Sequence, residues 1–329
     1  MSVLYISKHG AVLRISGERL IVTYGKERLL ETPGIKVDQV VIFGNGQLSP
    51  QAMDYLLNNN IDVAYLSASG RYRGRLQPPL PQNALVRKAQ YRKSEEDDFC
   101  LKFSKAVIAA KIRNSIHMLV KKGARKKAGR KRILRDSLKK LDRVKYLDKL
   151  RGIEGAVSAG YFQVYRELMK NDMGFSKRLK HPAPDPANIL LSLGYTLLYN
   201  FVHSMINLVG MDPYQGFLHQ NKFGHASLAS DIIEPMRAPV VDALVLRVLN
   251  LKIINEKDFI KQNGRMVFRK EGLKRYLEEY DKKMLSKRQF APEEKRLDFK
   301  QIIEWQCRQF ARVILGKESE IKPYLWGRS

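Results

Sequence analysis

Cysteine is nearly absent from the 329 residues: Cys100 and Cys307 are the only two, far apart and in no ligand spacing. Their scarcity argues against a disulfide framework and a zinc ribbon, and fits a reducing cytoplasm as the expected location. Acid is scarce relative to base, with 33 Asp and Glu against 60 Lys and Arg and a formal net charge of +27. An excess that large repels itself in a folded chain, so a polyanionic partner is implied, DNA or RNA first and an anionic membrane surface second. A basic lead and a long apolar core are both missing from MSVLYISKHG, so it is not expected to be a signal peptide. One stretch is long enough to span a bilayer, ILLSLGYTLLYNFVHSMINLVG from Ile189 to Gly210. Asn200, His203, Ser204 and Asn207 interrupt it, and each is expensive in lipid, so a buried core helix is expected and no membrane.

What is present reads as an α+β chain with two domains. The hydrophobic fraction of 44% suffices for a core. Up to about residue 80, VLYIS, AVLRIS, RLIVTYG, VDQVVIFG, IDVAYLS and RYRGRL are short and rich in β-branched residues, and the early ones are separated by Gly-containing turns. Ser49 and Pro50 open a helix among them, as cap and first helical residue. The Pro-rich QPPLPQ, Gln77 to Gln82, marks a boundary, with residues 1–83 a strand-rich packing or dimerisation domain and 84–329 a helical one. LKFSKAVIAAKIRNSIHMLV has a helical period, NGRMVFRKEG reads as a small hairpin, and DFKQIIEWQCRQFARVILG closes the chain as an amphipathic helix. Charge divides unevenly: nine Lys and Arg against six Asp and Glu in residues 1–83, but 51 against 27 in the remainder. The helical domain is therefore expected to carry the polyanion contact. Its run KKGARKKAGRKR, Lys121 to Arg132, has eight basic residues and no acid; it either tracks a nucleic-acid backbone, with Lys126 and Arg130 as candidates, or is a solvated loop.

Acidic and imidazole groups stand out against this background. Glu154 lies in RGIEGAVSAGYF, a helix of small residues that allows close approach. A carboxylate there needs an Arg partner, a proton or a metal. His219, in GFLHQNKFGH, is either a satisfied histidine or a functional one, with His225 as competitor. Asp231 and Glu234 are three apart and would share a helical face, although Pro235 disfavours α geometry at Glu234 and predicts a helix end or kink. One imidazole and two or three carboxylates suit Mn²⁺, or Mg²⁺ with water completing the shell. In a basic groove such a metal would face a phosphodiester. Tyr161 and Tyr165, about two and three turns beyond Glu154 on one helix, either stack on a splayed base or pack in the core. Arg237 and Lys222 are candidate phosphate contacts.

Four stretches, VDQVVIFGNGQLSPQAMDYL, LRGIEGAVSAGYF, HPAPDPANILLSLGYTLLYN and GFLHQNKFGHASLASDIIEPMRAPVVD, together resemble the CRISPR-associated integrase/endonuclease family, the larger of the two near-universal CRISPR adaptation proteins. They follow the family's order and span most of the chain. The resemblance implies an N-terminal β-sandwich-like domain, a C-terminal all-α catalytic domain, a homodimer joined largely through the former, and a small ferredoxin-like partner. It implies double-stranded and branched DNA as substrate, and Glu154, His219 and Glu234 as metal ligands with Asp231 in support. The loop around His181 and Pro184–Asp185 departs from the Arg found in many members. The implied chemistry is transesterification by a 3′-OH, or hydrolysis by water, with activity falling at acid pH as His219 protonates. The competing readings are an architectural DNA-binding protein with structural acids, and an RNA-binding protein, for which no RNA-recognition aromatic motif is found.

Overall fold

The computed structural model describes every residue except 1, 80–82, 124–127, 180–182, 263 and 328–329, together with the backbone but not the side chains of 2, 128–133 and 265. The chain divides into two compact units, residues 1–80 with 258–281, and residues 81–257 with 282–329. The break after residue 80 falls in the Pro-rich linker. The sequence division assigned 258–281 to the helical domain; the structure places it with the strands.

In the first unit, strands β1 (Ser2–Ile6), β5 (Val37–Phe43), β7 (Asp62–Leu66) and β8 (Tyr72–Leu76) form one four-stranded sheet in that order. The first three run parallel, and β8 is antiparallel to β7. A second sheet runs β4 (Glu27–Pro33), β3 (Arg19–Tyr24), β2 (Val12–Ser16) and β6 (Gln47–Leu48). Leu4, Ile6, Val40, Ile42 and Val63 of one sheet and Leu13, Leu20 and Val22 of the other share a core with Ala52 and Leu56 of α1 (Pro50–Asn58), which is the sandwich-like arrangement. Ser49 caps α1 by accepting from the Ala52 amide, with Pro50 first in the helix. Val41, Phe43, Ala64 and Leu66 are also buried, as parallel strands covered on both faces require. The hairpin β9 (Phe259–Gln262) and β10 (Arg265–Phe268) leads into α9 (Lys270–Met284), whose Tyr276 and Tyr280 lie near Tyr5 of β1. Strand β4, ERLLETP, has no clean alternation because it is an edge strand with its first four residues exposed, and it escapes a reading by pattern.

The second unit is mostly helical: α2 (Ala84–Glu95), α3 (Asp97–Lys121), α4 (Ala128–Leu141), α5 (Leu147–Arg166), α6 (Pro186–Val209), α7 (Ser227–Ile233), α8 (Ala243–Asn250) and α10 (Phe299–Ile314). It is not all-α, because β11 (Arg288–Phe290) and β12 (Lys295–Leu297) pair before α10. Helix α6 is long and apolar enough to cross a membrane, yet 78% of its most apolar window is buried inside the protein. It is a core helix: Asp185 caps it onto the Asn188 amide, and Gly210 ends it at φ 90°.

Between Ala226 and Leu251 the backbone stays helical but changes pitch. α7 gives way to a 3₁₀ turn at Glu234–Met236, then a π-helical segment at Arg237–Asp242, then α8. α7 ends at Ile233, as Pro235 leads one to expect, but Glu234 keeps helical dihedrals (φ −54°, ψ −48°), so the backbone does not leave the helical region. The tension with Pro235 is relieved by the change in pitch. The Asn114 side-chain amide of α3 holds the Pro235 carbonyl at 2.7 Å, and the Gln306 amide of α10 donates to the Ile232 carbonyl at 3.3 Å. Irregular helical pitch of this kind is common at functional sites.

Candidate active site

The acids at the pitch change are oriented by three packed elements. Glu234 is 3% exposed at its side chain. Its Oε1 accepts Arg237 Nη2 at 2.9 Å, and its Oε2 lies 2.7 Å from Lys111 Nζ of α3. That second approach is an ion pair without hydrogen-bond alignment, leaving Oε2 buried and without a hydrogen-bond partner. Burial alone would raise the Glu234 pKa, but Arg237, Lys111 and His219 prevail and hold it down at about 2. The same Lys111 ammonium pairs with Glu154 Oε1 of α5, and Ser158, one turn on, donates to that oxygen at 2.8 Å. Two catalytic candidates from distant stretches thus converge on one cation.

His219 reaches this place through a loop fastened to α7. Asp231, fully buried, accepts the amides of Phe217 (2.7 Å), Leu218 (3.0 Å) and His219 (3.0 Å) and pairs with His219 Nδ1 at 2.6 Å. Arg151, one turn before Glu154, donates to the Leu218 carbonyl at 2.9 Å and ties α5 to the loop. Gly216 makes the approach possible: a Cβ there would stand 2.8 Å from Ser227 Cβ and 2.9 Å from Asp231 Oδ2. Burial would lower the His219 pKa, but the Asp231 bond and the charges of Asp231 and Glu234 raise it. His225 is engaged elsewhere, with Nε2 3.0 Å from Ser230 Oγ.

Asp231 and Glu234 therefore do different work. Asp231 orients the imidazole and leaves its Nε2 available, the usual arrangement for a ligating histidine. Glu234 faces the cations. Among the described residues no three His, Cys, Asp or Glu stand in a geometry that holds a metal ion, and the Lys111 ammonium lies between the two glutamates. The donor types nevertheless fit Mn²⁺ or Mg²⁺: two carboxylates, one of them with a buried oxygen held only by the Lys111 ammonium, and an imidazole fixed by a carboxylate.

The remaining candidates separate. Tyr161 and Tyr165 are buried core residues: the Tyr161 hydroxyl donates to Asp242 Oδ2 at 2.7 Å and the Tyr165 hydroxyl to the Asp242 carbonyl at 3.0 Å. Neither ring can stack on a base, which corrects the reading that placed them against DNA. The Tyr195 hydroxyl donates to the other Asp242 carboxylate oxygen, and the Arg237 guanidinium lies 4.8 Å from the Tyr195 ring. This network braces the π-helical segment. Arg237 acts first as the counter-ion of Glu234, while Lys222 stays exposed in the loop after His219. Lys126 and His181 lie outside the described residues, as does the side chain of Arg130.

Lys111, Gly216 and Asn114 escaped the sequence reading. Lys111 had a signal. It falls on the stripe Ser104, Val107, Ile108, Ser115, Met118 that α3 buries, and its side chain is only 11% exposed. A lone lysine on such a stripe requires buried acids opposite.

A family profile described as "CRISPR associated protein Cas1" matches residues 4–282. The chain is 32% identical over 320 residues to the CRISPR-associated endonuclease Cas1 3 of Thermus thermophilus, covering 97% of this chain and 94% of that protein. Among solved structures it is similar to a casposase bound to integration product, with TM-score 0.87, 24% identity and coverage of 100% and 96% of the two chains. It is also similar to a chain of a Cas6-RT-Cas1–Cas2 complex, with TM-score 0.86, 23% identity and coverage of 99% of this chain and 36% of that one. The two structures share the fold.

Proposed function

The chain belongs to the Cas1 family of CRISPR-associated proteins, and from that membership we propose that it is a DNA endonuclease and integrase of CRISPR adaptation with a divalent-metal centre at Glu154, His219 and Glu234. The observation that carries the site is the convergence of Glu154 and Glu234 on one ammonium beside the Asp231-anchored His219. Mn²⁺ or Mg²⁺ held there would polarise a phosphoryl oxygen and lower the pKa of the attacking hydroxyl.

The chain's own residues supply the positioning. Asp231 keeps a proton on His219 Nδ1 and presents Nε2. Arg237 and Lys111 keep Glu234 ionised in a buried place, and they leave positive charge where a pentacovalent phosphate gains negative charge. In the joining reaction the 3′-oxygen of a captured DNA fragment forms a new bond to a phosphorus in the CRISPR repeat. The bond from that phosphorus to its own 3′-oxygen breaks, the leaving oxygen takes up a proton, and the product is branched. Water in place of the 3′-OH gives hydrolysis at the same centre.

Partners follow the same reading. An integration product and Cas2 appear in the similar structures' own terms, and they support branched DNA and Cas2 as this chain's partners. A small ferredoxin-like partner is the expected form of the second protein. A homodimer through the strand unit is supported by edge strand β4, which exposes Leu29 and Leu30 beside Tyr24 of β3. The test is a gel assay with 3′-OH-ended DNA and a supercoiled target in Mn²⁺, Mg²⁺ or EDTA, with DNA binding measured in parallel. Wild type should cut or join only with metal, and Glu154→Ala should bind DNA and do neither. A Glu154→Ala protein as active as wild type would make the carboxylate structural and remove the site assignment.

A further inference from the structure

Helix α3 continues past the acids. Lys122 follows Lys111 by eleven residues, about 16 Å along the axis at 1.5 Å per residue. There Lys121 Nζ stands 5.2 Å from the Trp326 ring centroid. Lys283 Nζ lies 5.5 Å from the same ring and 5.2 Å from the Phe299 ring, and the Arg288 guanidinium lies 5.6 Å from Phe299. Arg247 of α8 also belongs to the group, since its charge acts on both Lys122 and Lys283. Among the described residues neither Lys122 nor Lys283 has a carboxylate partner, and both are pushed toward the neutral form, by burial first and then by these neighbouring cations.

Two nearby nitrogens are buried without partners. Arg288 Nη2 donates to Ser286 Oγ at 3.1 Å, but its Nε has nothing to bond. His117, whose ring lies 4.9 Å from Trp326, has an unpartnered Nε2. Cations packed this closely, one of them with an unmet guanidinium donor, are unfavourable in isolation and fit an anion that bridges them. The rings decide which kind. Phe299 is 0% exposed and Trp326 8%, so neither offers a face to a base. What remains accessible is charge.

We propose that Lys121, Lys122, Arg247, Lys283 and Arg288 form a binding site for backbone phosphates of a DNA strand, separate from the metal centre and about 16 Å from Lys111 along α3. That separation corresponds to roughly five base pairs of duplex rise, so one DNA molecule can occupy both places. The site holds the substrate without reading its sequence. It rests on the reading that DNA is the substrate.

The test is anisotropy of a short labelled duplex in EDTA, with salt varied. Lys122→Gln combined with Arg288→Gln should weaken binding about tenfold and flatten the slope of log K against log salt by about 1.8, or 0.9 per lost phosphate contact. Lys121→Gln with Lys122→Gln, both at the solvent-facing end of α3, repeats the test if the Arg288 change unfolds the protein. Unchanged affinity and slope in folded variants would overturn the site. So would inorganic phosphate raising the melting temperature of wild type but not of the variants while the duplex slope stays fixed, because the ligand would then be a small free anion. Since EDTA prevents chemistry, this result is independent of the strand-joining assay.

Discussion

Lys111 occupies the place between two glutamates where a divalent ion would compete with it. In the metal-free protein its ammonium offsets Glu154 and Glu234, and without it a buried carboxylate keeps only Arg237. Lys111→Met should therefore have opposite effects on two measurements. Without metal the variant should be less stable by about 3–5 kcal/mol, the usual cost of removing one partner of a buried pair. Its affinity for Mn²⁺, read by calorimetry, should rise on the order of tenfold, about 1.4 kcal/mol, because a competing cation is gone. Added Mn²⁺ should restore the lost melting temperature. Weaker Mn²⁺ binding by the variant would mean that Lys111 helps to assemble the centre rather than guard it.

At the scale of elements, the loop from Gly216 to His219 is an anchored strap. Three consecutive amides end on one carboxylate, Asp231, and the imidazole on the same group. Gly216→Ala would drive a methyl into Ser227, whose backbone carbon lies 2.9 Å from the new Cβ. Helix α7 cannot yield easily there, so the strap must move. The expected result is a loss of about 1–3 kcal/mol of stability and weaker Mn²⁺ binding. A variant with wild-type metal affinity would show that the strap is not needed to aim His219. The local chemistry of this region was legible in sequence: Glu154, His219, Asp231 and Glu234 are acids and an imidazole in a basic chain, and Ser49–Pro50 and the apolar strands announced the first unit. Asn114 was hidden, and Lys111 showed only as a lysine on a buried stripe, because what each meets depends on which helix packs opposite it. Pro235 announced the end of α7 at Ile233, while contacts from α3 and α10 kept the backbone beyond it on a helical path of changed pitch. Tyr161 and Tyr165 misled because helical spacing from Glu154 gives distance along an axis but not direction, and their partner Asp242 arrives from another element.

Across the whole molecule, a net charge of +27 has to be tolerated before DNA arrives. The tolerance is strained where Lys283 faces Lys121, Lys122, Arg247 and Arg288, with His117 behind Trp326. Burial first, then these charges, lowers the Lys283 pKa from 10.5 to about 7. Below pH 7 the amine is protonated in both folded and unfolded chains, and the full cost of its burial is present. Between about 7 and 10.5 the unfolded chain binds the extra proton, so stability rises with pH by up to about 1.4 kcal/mol per unit from this group. Lys283→Met should consequently be more stable than wild type at pH 7, and the advantage should shrink toward pH 10.5; chemical denaturation across that range measures it. Phosphate bound beside Lys283 would reverse the depression, so duplex binding by wild type at pH 8–9 should take up a proton. Calorimetry in buffers of different ionisation enthalpy reads that uptake, and Lys283→Met should lose it along with affinity. A variant that gains stability while binding DNA as tightly as wild type would mean the cation cluster is a structural burden with no phosphate to hold.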